Sequence, residues 1–225
     1  MNLSQDGDRS TTKRHIARLK GVSRETKSGM PVFAALEIYA KLLVKWQTKI
    51  NLVSRNSLNT LWTRHILDSV QLIPFLPDSP VKIIDIGSGA GLPGIILAIL
   101  TVHDIHLVEA DQRKCAFLRT IVSETGATAT IHNERIEALA NMNPDIITAR
   151  ALAPLDKLLE LTRLQHNENL QLLFLKGKTA KQELTSLTSW PRISAVLYPS
   201  ITDTEAALMH LTFSAALAEK KKASH

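Results

Sequence analysis

The residues able to do chemistry in this chain gather behind one apolar stretch. Asp85 stands two positions before a glycine run, Gly87-Ser88-Gly89-Ala90-Gly91-Leu92, and Glu109 follows Gly87 by 22 residues. Glycines directly after a strand let the backbone turn with positive φ and approach a ligand with no Cβ in the way. The helix that follows aims its N-terminal amides at the same spot. Such a cradle suits a nucleoside. The dinucleotide fingerprint asks for G-x-G-x-x-G, and Leu92 occupies the third-glycine position. A phosphate-binding P-loop is absent, since no Lys-Ser or Lys-Thr pair follows Gly94. A carboxylate at Asp85 would repel a pyrophosphate but tolerates a cation. S-adenosylmethionine, with a sulfonium, an ammonium and no phosphate, fits that charge. Glu109 is placed to accept both ribose hydroxyls, which disfavours a ribose bearing a 2′-phosphate. Arg135, Ile136 and Glu137 are placed to frame an adenine, and Arg150 and Lys176 bring two cations for a phosphate-bearing acceptor. An ion pair of Arg150 with Asp85 or Glu137, and a snorkelling Lys176, stay open as plainer roles.

Positioning these groups requires alternating strands and helices. Val81–Ile86 is an apolar run without alternation, the pattern of a parallel strand buried on both faces. After it the patterns predict a helix from Leu92 or Pro93, a strand over Ile105–Glu109, a helix over Gln112–Thr125 stopped by Gly126, and a strand over Ala129–His132. Further strands are predicted over Asp145–Ala149 and Leu170–Leu175, with helices over Pro154–Leu164 and Thr179–Leu187. Ile193–Tyr198 and Leu208–Phe213 close the series as two antiparallel strands, because only a loop joins them. The class is α/β: a doubly wound, mostly parallel seven-stranded Rossmann-like sheet. Each candidate residue then falls just after a strand, where open α/β sheets bind ligands.

Upstream, Phe33, Leu36, Ala40, Leu43, Gln47 and Ile50 recur at helical spacing, and a second helix is predicted over Leu58–Ile73. That second helix carries Arg64, His65 and Asp68 near one face. Residues 1–29 are polar and basic with few large apolar groups, so a flexible leader is expected. The expected organisation is this leader, a helical extension over 30–77, the sheet domain over 78–215 and a basic tail over 216–225. A net charge of +6 and pI near 9.5 favour a polyanionic partner. One cysteine, Cys115, allows no intramolecular disulfide and no cysteine pair for zinc. With no metal motif, signal peptide or membrane-length apolar run, a cytoplasmic protein without a bound metal or membrane partner is expected, acting as a monomer.

The segments N-L-V-S (51–54), R-H-I-L-D-S (64–69), D-I-G-S-G-A-G-L-P-G (85–94), E-A-D-Q-R-K-C-A-F-L-R (109–119), A-R-A-L-A-P-L (149–155) and L-K-G-K (175–178) together resemble the RsmG (GidB) family of bacterial ribosomal RNA methyltransferases. The resemblance implies a class I methyltransferase fold that uses S-adenosylmethionine to methylate guanine N7 in 16S rRNA of the small ribosomal subunit. It implies cofactor contacts at Gly87, Leu92, Ile136, Glu137 and Arg150, and suggests Glu109 at the ribose, where the family commonly has aspartate. Asp85, Gly89 and Gly91 complete the expected cofactor set. Arg150 and Lys176 are the expected catalytic pair, and Arg64, His65, Arg113 and Lys114 the expected RNA contacts. Guanine N7 has a free lone pair, so its methylation needs no general base. The N-P-P-[FY] motif of exocyclic-amine methyltransferases is replaced by A-R-A-L-A-P-L, and Cys115, between apolar neighbours in a helix, reads as packing and not as the nucleophile of a pyrimidine enzyme. A small-molecule methyltransferase and a NAD-dependent oxidoreductase are the alternatives, the latter disfavoured by Leu92.

Overall fold

The structure, a computed structural model, describes residues 3–213. Its N-terminal part is helical: α1 (Leu3–Ile16), α2 (Val32–Gln47), a 3-10 stretch (Arg55–Thr60), a π-helical turn (Trp62–Leu67), the single turn α3 (Asp68–Val70) and a 3-10 turn (Ile73–Phe75). The sheet domain then runs β1 (Lys82–Ile86), α4 (Gly94–Leu100), β2 (Asp104–Val108), α5 (Gln112–Thr125), β3 (Ala129–His132), β4 (Ile146–Arg150), α6 (Leu155–Thr162), β5 (Gln171–Lys176), α7 (Ala180–Glu183), β6 (Ile193–Pro199) and β7 (Ala207–Phe213).

The strand order is β3-β2-β1-β4-β5-β7-β6. Strands β1 to β5 pair in parallel, and β7 runs antiparallel to both β5 and β6. The seven-stranded, mostly parallel sheet with antiparallel last strands is the one the sequence predicts. Alternate β1 residues feed two cores: Ile83 joins the one shared with the N-terminal helices, Ile84 and Ile86 the one under α6. All seven residues of α4 are buried, because this helix lies between the sheet and the layer formed by α2 and α3. An all-round apolar sequence, Gly94-Ile-Ile-Leu-Ala-Ile-Leu100, is what that position demands. Gly94 lets α4 approach closely: a Cβ there would come within 2.3 Å of Leu107 Cδ2 and 2.8 Å of Asp85 Cβ. The close helix–strand packing of a dinucleotide fold's third glycine is thus served two residues beyond Leu92.

Two expectations for the N-terminal part need correction. The described part of the 1–29 segment, residues 3–29, is not a free leader: α1 buries Thr12 and Ile16, Ser23 donates its amide to the Leu100 carbonyl at 2.7 Å, and Val32 donates to Arg24 at 3.1 Å. The α1 sequence has too little apolar surface to order itself. Polar partners distant in sequence supply the rest, since Glu37 of α2 ion-pairs with both Arg9 and Lys13. The stretch over 58–73 is not one α-helix but a succession of 3-10, π and α turns. The basic tail over 216–225 lies outside the described residues.

Candidate active site

The chain runs outward from β1 to β3 and then returns to place β4 on the other side of β1, so the topological switch falls between β1 and β4. At the carboxyl ends of these strands opens a cavity of about 570 Å³, within the range of small-molecule sites. Its walls come from the loops after β1, β2, β3 and β4 and from the segment between α2 and the π-turn.

One side is the glycine loop. Gly87, Gly89 and Gly91 have φ of 61°, 55° and 79°. The Tyr39 hydroxyl of α2 donates to the Ala90 carbonyl at 3.0 Å, tying the loop to the helical layer. Burial pushes the Tyr39 ionisation far up, so it remains a donor. Glu109 receives the Gly89 amide on Oε2 and the Asp111 amide on Oε1, each at 2.8 Å. A carboxylate has about four lone-pair positions, so each oxygen keeps one for a ribose hydroxyl. Asp111 caps α5 by accepting from the amides of Arg113 and Lys114.

Opposite stands Arg150. Its Nε lies 3.1 Å from Asp68 Oδ2, and its NH2 group donates to the Arg64 carbonyl and to His65 Nδ1, both at 2.9 Å. NH1 is buried with no partner. Arg150 lines the cavity, and a buried guanidinium N–H without a partner is uncommon in a folded protein. Asp68 is itself braced, accepting at Oδ1 from Gln71 and from Thr202 in the β6–β7 turn, each at 2.8 Å. His65 is only 4% exposed. Its burial, then the nearby Arg150 and Arg64 charges, lower its pKa to about 3. The imidazole is therefore neutral. Because Nδ1 accepts from Arg150, the proton sits on Nε2 and is donated to Ser57 Oγ at 2.7 Å. Ser57 passes a hydrogen bond on to the Ser54 carbonyl at 2.6 Å.

Gly87, Gly89, Leu92, Glu109, Ile136, Glu137 and Arg150 all line the cavity, as do Arg64, His65 and Lys114. Other expected site residues do not. Lys176 is a correction: its ammonium pairs with Glu183 and donates to the Ala153 carbonyl, both at 2.6 Å, so it braces the loop after β4 rather than facing the cavity. Although burial raises it, hydrogen bonds from Lys176 and Thr179 hold the Glu183 carboxyl below its ordinary range. Gly91 lies behind the wall, where a Cβ would strike Ile95 at 2.5 Å and Leu118 at 2.9 Å. Arg113 is exposed and off the wall. His65, expected as a basic RNA contact, carries no charge to offer a phosphate. Arg150 pairs with Asp68 and not with Asp85 or Glu137.

Asp85 is also off the wall, fully buried beneath the glycine loop, where Oδ1 accepts from Thr148 at 2.7 Å. Burial raises its pKa from 3.8 to about 6, a rise only partly offset by Thr148, Ser88 and the Gly94 backbone. A raised carboxyl pKa means the folded protein holds a proton that the unfolded chain releases. The resulting stabilisation is full below about pH 4 and is lost as the pH rises through about 6. Asp85→Asn, neutral throughout, is therefore expected to gain on the wild type by on the order of 2–3 kcal/mol between about pH 4 and pH 7. Denaturant unfolding across that range measures this, and a pH-independent difference would refute it.

Sequence reasoning missed the wall formed by Leu52, Val53 and Ser57. Gln47 shapes it: Nε2 donates to the Val53 carbonyl at 2.8 Å, and Oε1 accepts from the Leu52 and Val53 amides at 2.9 Å. The available signal was this one polar residue within the apolar stripe of α2.

Comparison with known proteins follows the same outline. The model of the family described as GidB, rRNA small subunit methyltransferase G, matches residues 33–211. A ribosomal RNA small subunit methyltransferase G from Paramagnetospirillum magneticum is 47% identical over 191 residues, 85% of this chain and 90% of that protein. Among solved structures, a ribosomal protein L11 methylase from Lactobacillus delbrueckii superposes with a TM-score of 0.56 at 13% identity, over 67% of this chain and 79% of that one. A variant of MtNAS in complex with S-adenosylmethionine does so with a TM-score of 0.54 at 12% identity, over 95% and 99%. At these identities the two structures speak for the fold.

Proposed function

Because the chain belongs to the rRNA small subunit methyltransferase G family, we propose that it transfers the methyl group of S-adenosylmethionine to N7 of a guanine in 16S rRNA. The observation that carries this reading is the pairing, across one cavity, of Glu109 beside the glycine loop with the Arg150 side chain. These residues fit the methyl donor: Glu109 suits the ribose hydroxyls, the Gly87–Gly89 backbone the nucleoside, Ile136 and Glu137 the adenine, and Arg150 a carboxylate. When bound, the donor supplies an electrophilic methyl on a sulfonium.

The protein's own part is positioning. Guanine N7 attacks with a lone pair it already has, so no side chain must first remove a proton. Holding nucleophile, methyl carbon and sulfur in line supplies the acceleration. Arg150, locked by Asp68, Arg64 and His65, is a fixed positive group beside the reacting atoms. Arg64, Lys114 and Arg135 reach the cavity from three different segments. Such rim cations hold phosphates without reading sequence. Apart from the His65 imidazole, no aromatic ring is among the cavity-lining residues. The guanine must then be presented unstacked by the folded small subunit, as RNA loops allow. The reading is of a single chain docking on that subunit in the cytoplasm. Among the described residues, no helix is long and apolar enough to cross a membrane.

The test uses labelled S-adenosylmethionine and small ribosomal subunits lacking the modification. Label is expected on N7 of one guanine, with transfer at limiting RNA falling at least about tenfold between 50 and 200 mM salt as phosphate contacts are screened. Absence of transfer to rRNA would remove the reading. Salt-insensitive transfer to a small molecule would replace it.

A further inference from the structure

Asp8 lies in α1, outside the family-matched residues 33–211. Its carboxylate spans to the start of the π-turn, where Oδ2 accepts from the Trp62 amide and Oδ1 from the Thr63 amide, both at 2.9 Å, with the Thr63 hydroxyl as a further donor. The first amides of any helical turn have no partner within it. Asp8 satisfies two of them from a different element. It is held there by the burial of Thr12 and Ile16, by the ion pairs of Arg9 and Lys13 with Glu37, and by the same two cations lying 5.8 and 5.9 Å from the Trp62 ring centroid.

The capped turn has an uncommon hydrogen-bond register, found mostly as single turns within helices and frequently at functional sites. It carries Arg64 and His65 and leads directly into Asp68. Among the described residues these three provide the hydrogen bonds and the ion pair that orient the Arg150 side chain: the Arg64 carbonyl, His65 Nδ1 and the Asp68 carboxylate. We propose that Asp8 is a positioning residue for methyl transfer, which caps the π-turn from α1 and thereby sets the direction of the Arg150 guanidinium at the methyl-donor cavity. The inference rests on the reading of that cavity as the S-adenosylmethionine cradle. Without the cap, the turn's leading amides are unpaired and the turn relaxes toward ordinary α-helical register. Arg64 and His65 then rotate relative to β4, and Arg150 loses its fixed orientation.

The full chain with Asp8→Ala tests this, read first in the ligand-free protein. The Arg150 Nε–H resonance, protected by Asp68, is expected to shift or broaden, and the Trp62 and Thr63 amides to exchange faster with solvent. The dissociation constant for S-adenosylmethionine, measured by calorimetry, should rise about fivefold, the factor that a helix cap of ordinary strength corresponds to. Asp8→Asn, which keeps one acceptor oxygen, should fall between the two, and it takes over the test if the alanine variant does not fold. An unmoved Arg150 resonance with unchanged affinity, in a variant whose Trp62 and Thr63 amides exchange faster, overturns the inference. Failure of the wild type to bind S-adenosylmethionine would overturn the cradle reading, and the Arg150 resonance would still decide the role of Asp8.

Discussion

Arg150→Ala is expected to lower methyl transfer by at least about 100-fold and to destabilise the protein by about 3 kcal/mol. The two losses have separate causes. The catalytic loss comes from removing the guanidinium that Asp68, Arg64 and His65 fix at the end of β4. The stability loss comes from Asp68, whose carboxylate is left without its cation in a site where it is 7% exposed. Breaking a buried pair on one side costs more than removing it altogether, because the remaining charge keeps its desolvation penalty. Adding Asp68→Asn to Arg150→Ala should therefore restore most of the stability and none of the transfer. Arg150→Lys should keep part of the ion pair but lose the fork that reaches the Arg64 carbonyl and His65 together. Denaturant midpoints, calorimetric affinity for S-adenosylmethionine and single-turnover transfer separate these outcomes. Normal transfer by Arg150→Ala would remove Arg150 from the site.

Gly87→Val should abolish detectable cofactor binding. At φ 61° the backbone is in the left-handed region, where a β-branched residue is strained by about 1–3 kcal/mol. A Cβ built on Gly87 would also lie 2.5 Å from Leu152 Cδ1 and 2.9 Å from Cδ2. Leu152 is 39% exposed and can swing away. The branched side chain would then occupy the cradle itself, so relief of the clash does not restore the site. Gly87→Ala tests this division: it should bind weakly, and Leu152→Ala added to it should recover only the part due to the clash. Wild-type affinity in Gly87→Val would mean that the nucleoside does not approach this loop.

Much of the sheet domain was legible because its signals are local. The β1 run Ile83-Ile84-Asp85-Ile86 followed by three glycines describes a strand, a turn and a cradle within a dozen residues or so, and Asp111 and Gly126 mark the two ends of α5 through their own backbone and side-chain preferences. Glu109 was legible for the same reason: once β2 is placed, the position just after it lies at the sheet's carboxyl edge. The helical segment over 55–75 was not, because its register depends on Asp8 at one end and on Arg150 and Thr202 at the other.

From its sequence alone this protein is an α/β chain with a nucleoside loop after its first strand, since strand and helix patterns and turn chemistry are decided by neighbours along the chain, and its motifs resemble a methyltransferase family. Tertiary structure alone decided what each charge does. Asp8 reaches Trp62 and Thr63, Asp68 takes Arg150, Lys176 takes Glu183, and Arg64 meets Asp203 at 2.7 Å. A buried or half-buried charge takes whichever partner folding brings within hydrogen-bond reach, and spacing in sequence carries no record of that. Lys176 and Arg150 look alike as strand-end cations. One is spent on bracing a loop while the other lines the cavity, because β4 ends where the segment Arg64–Asp68 can hold it.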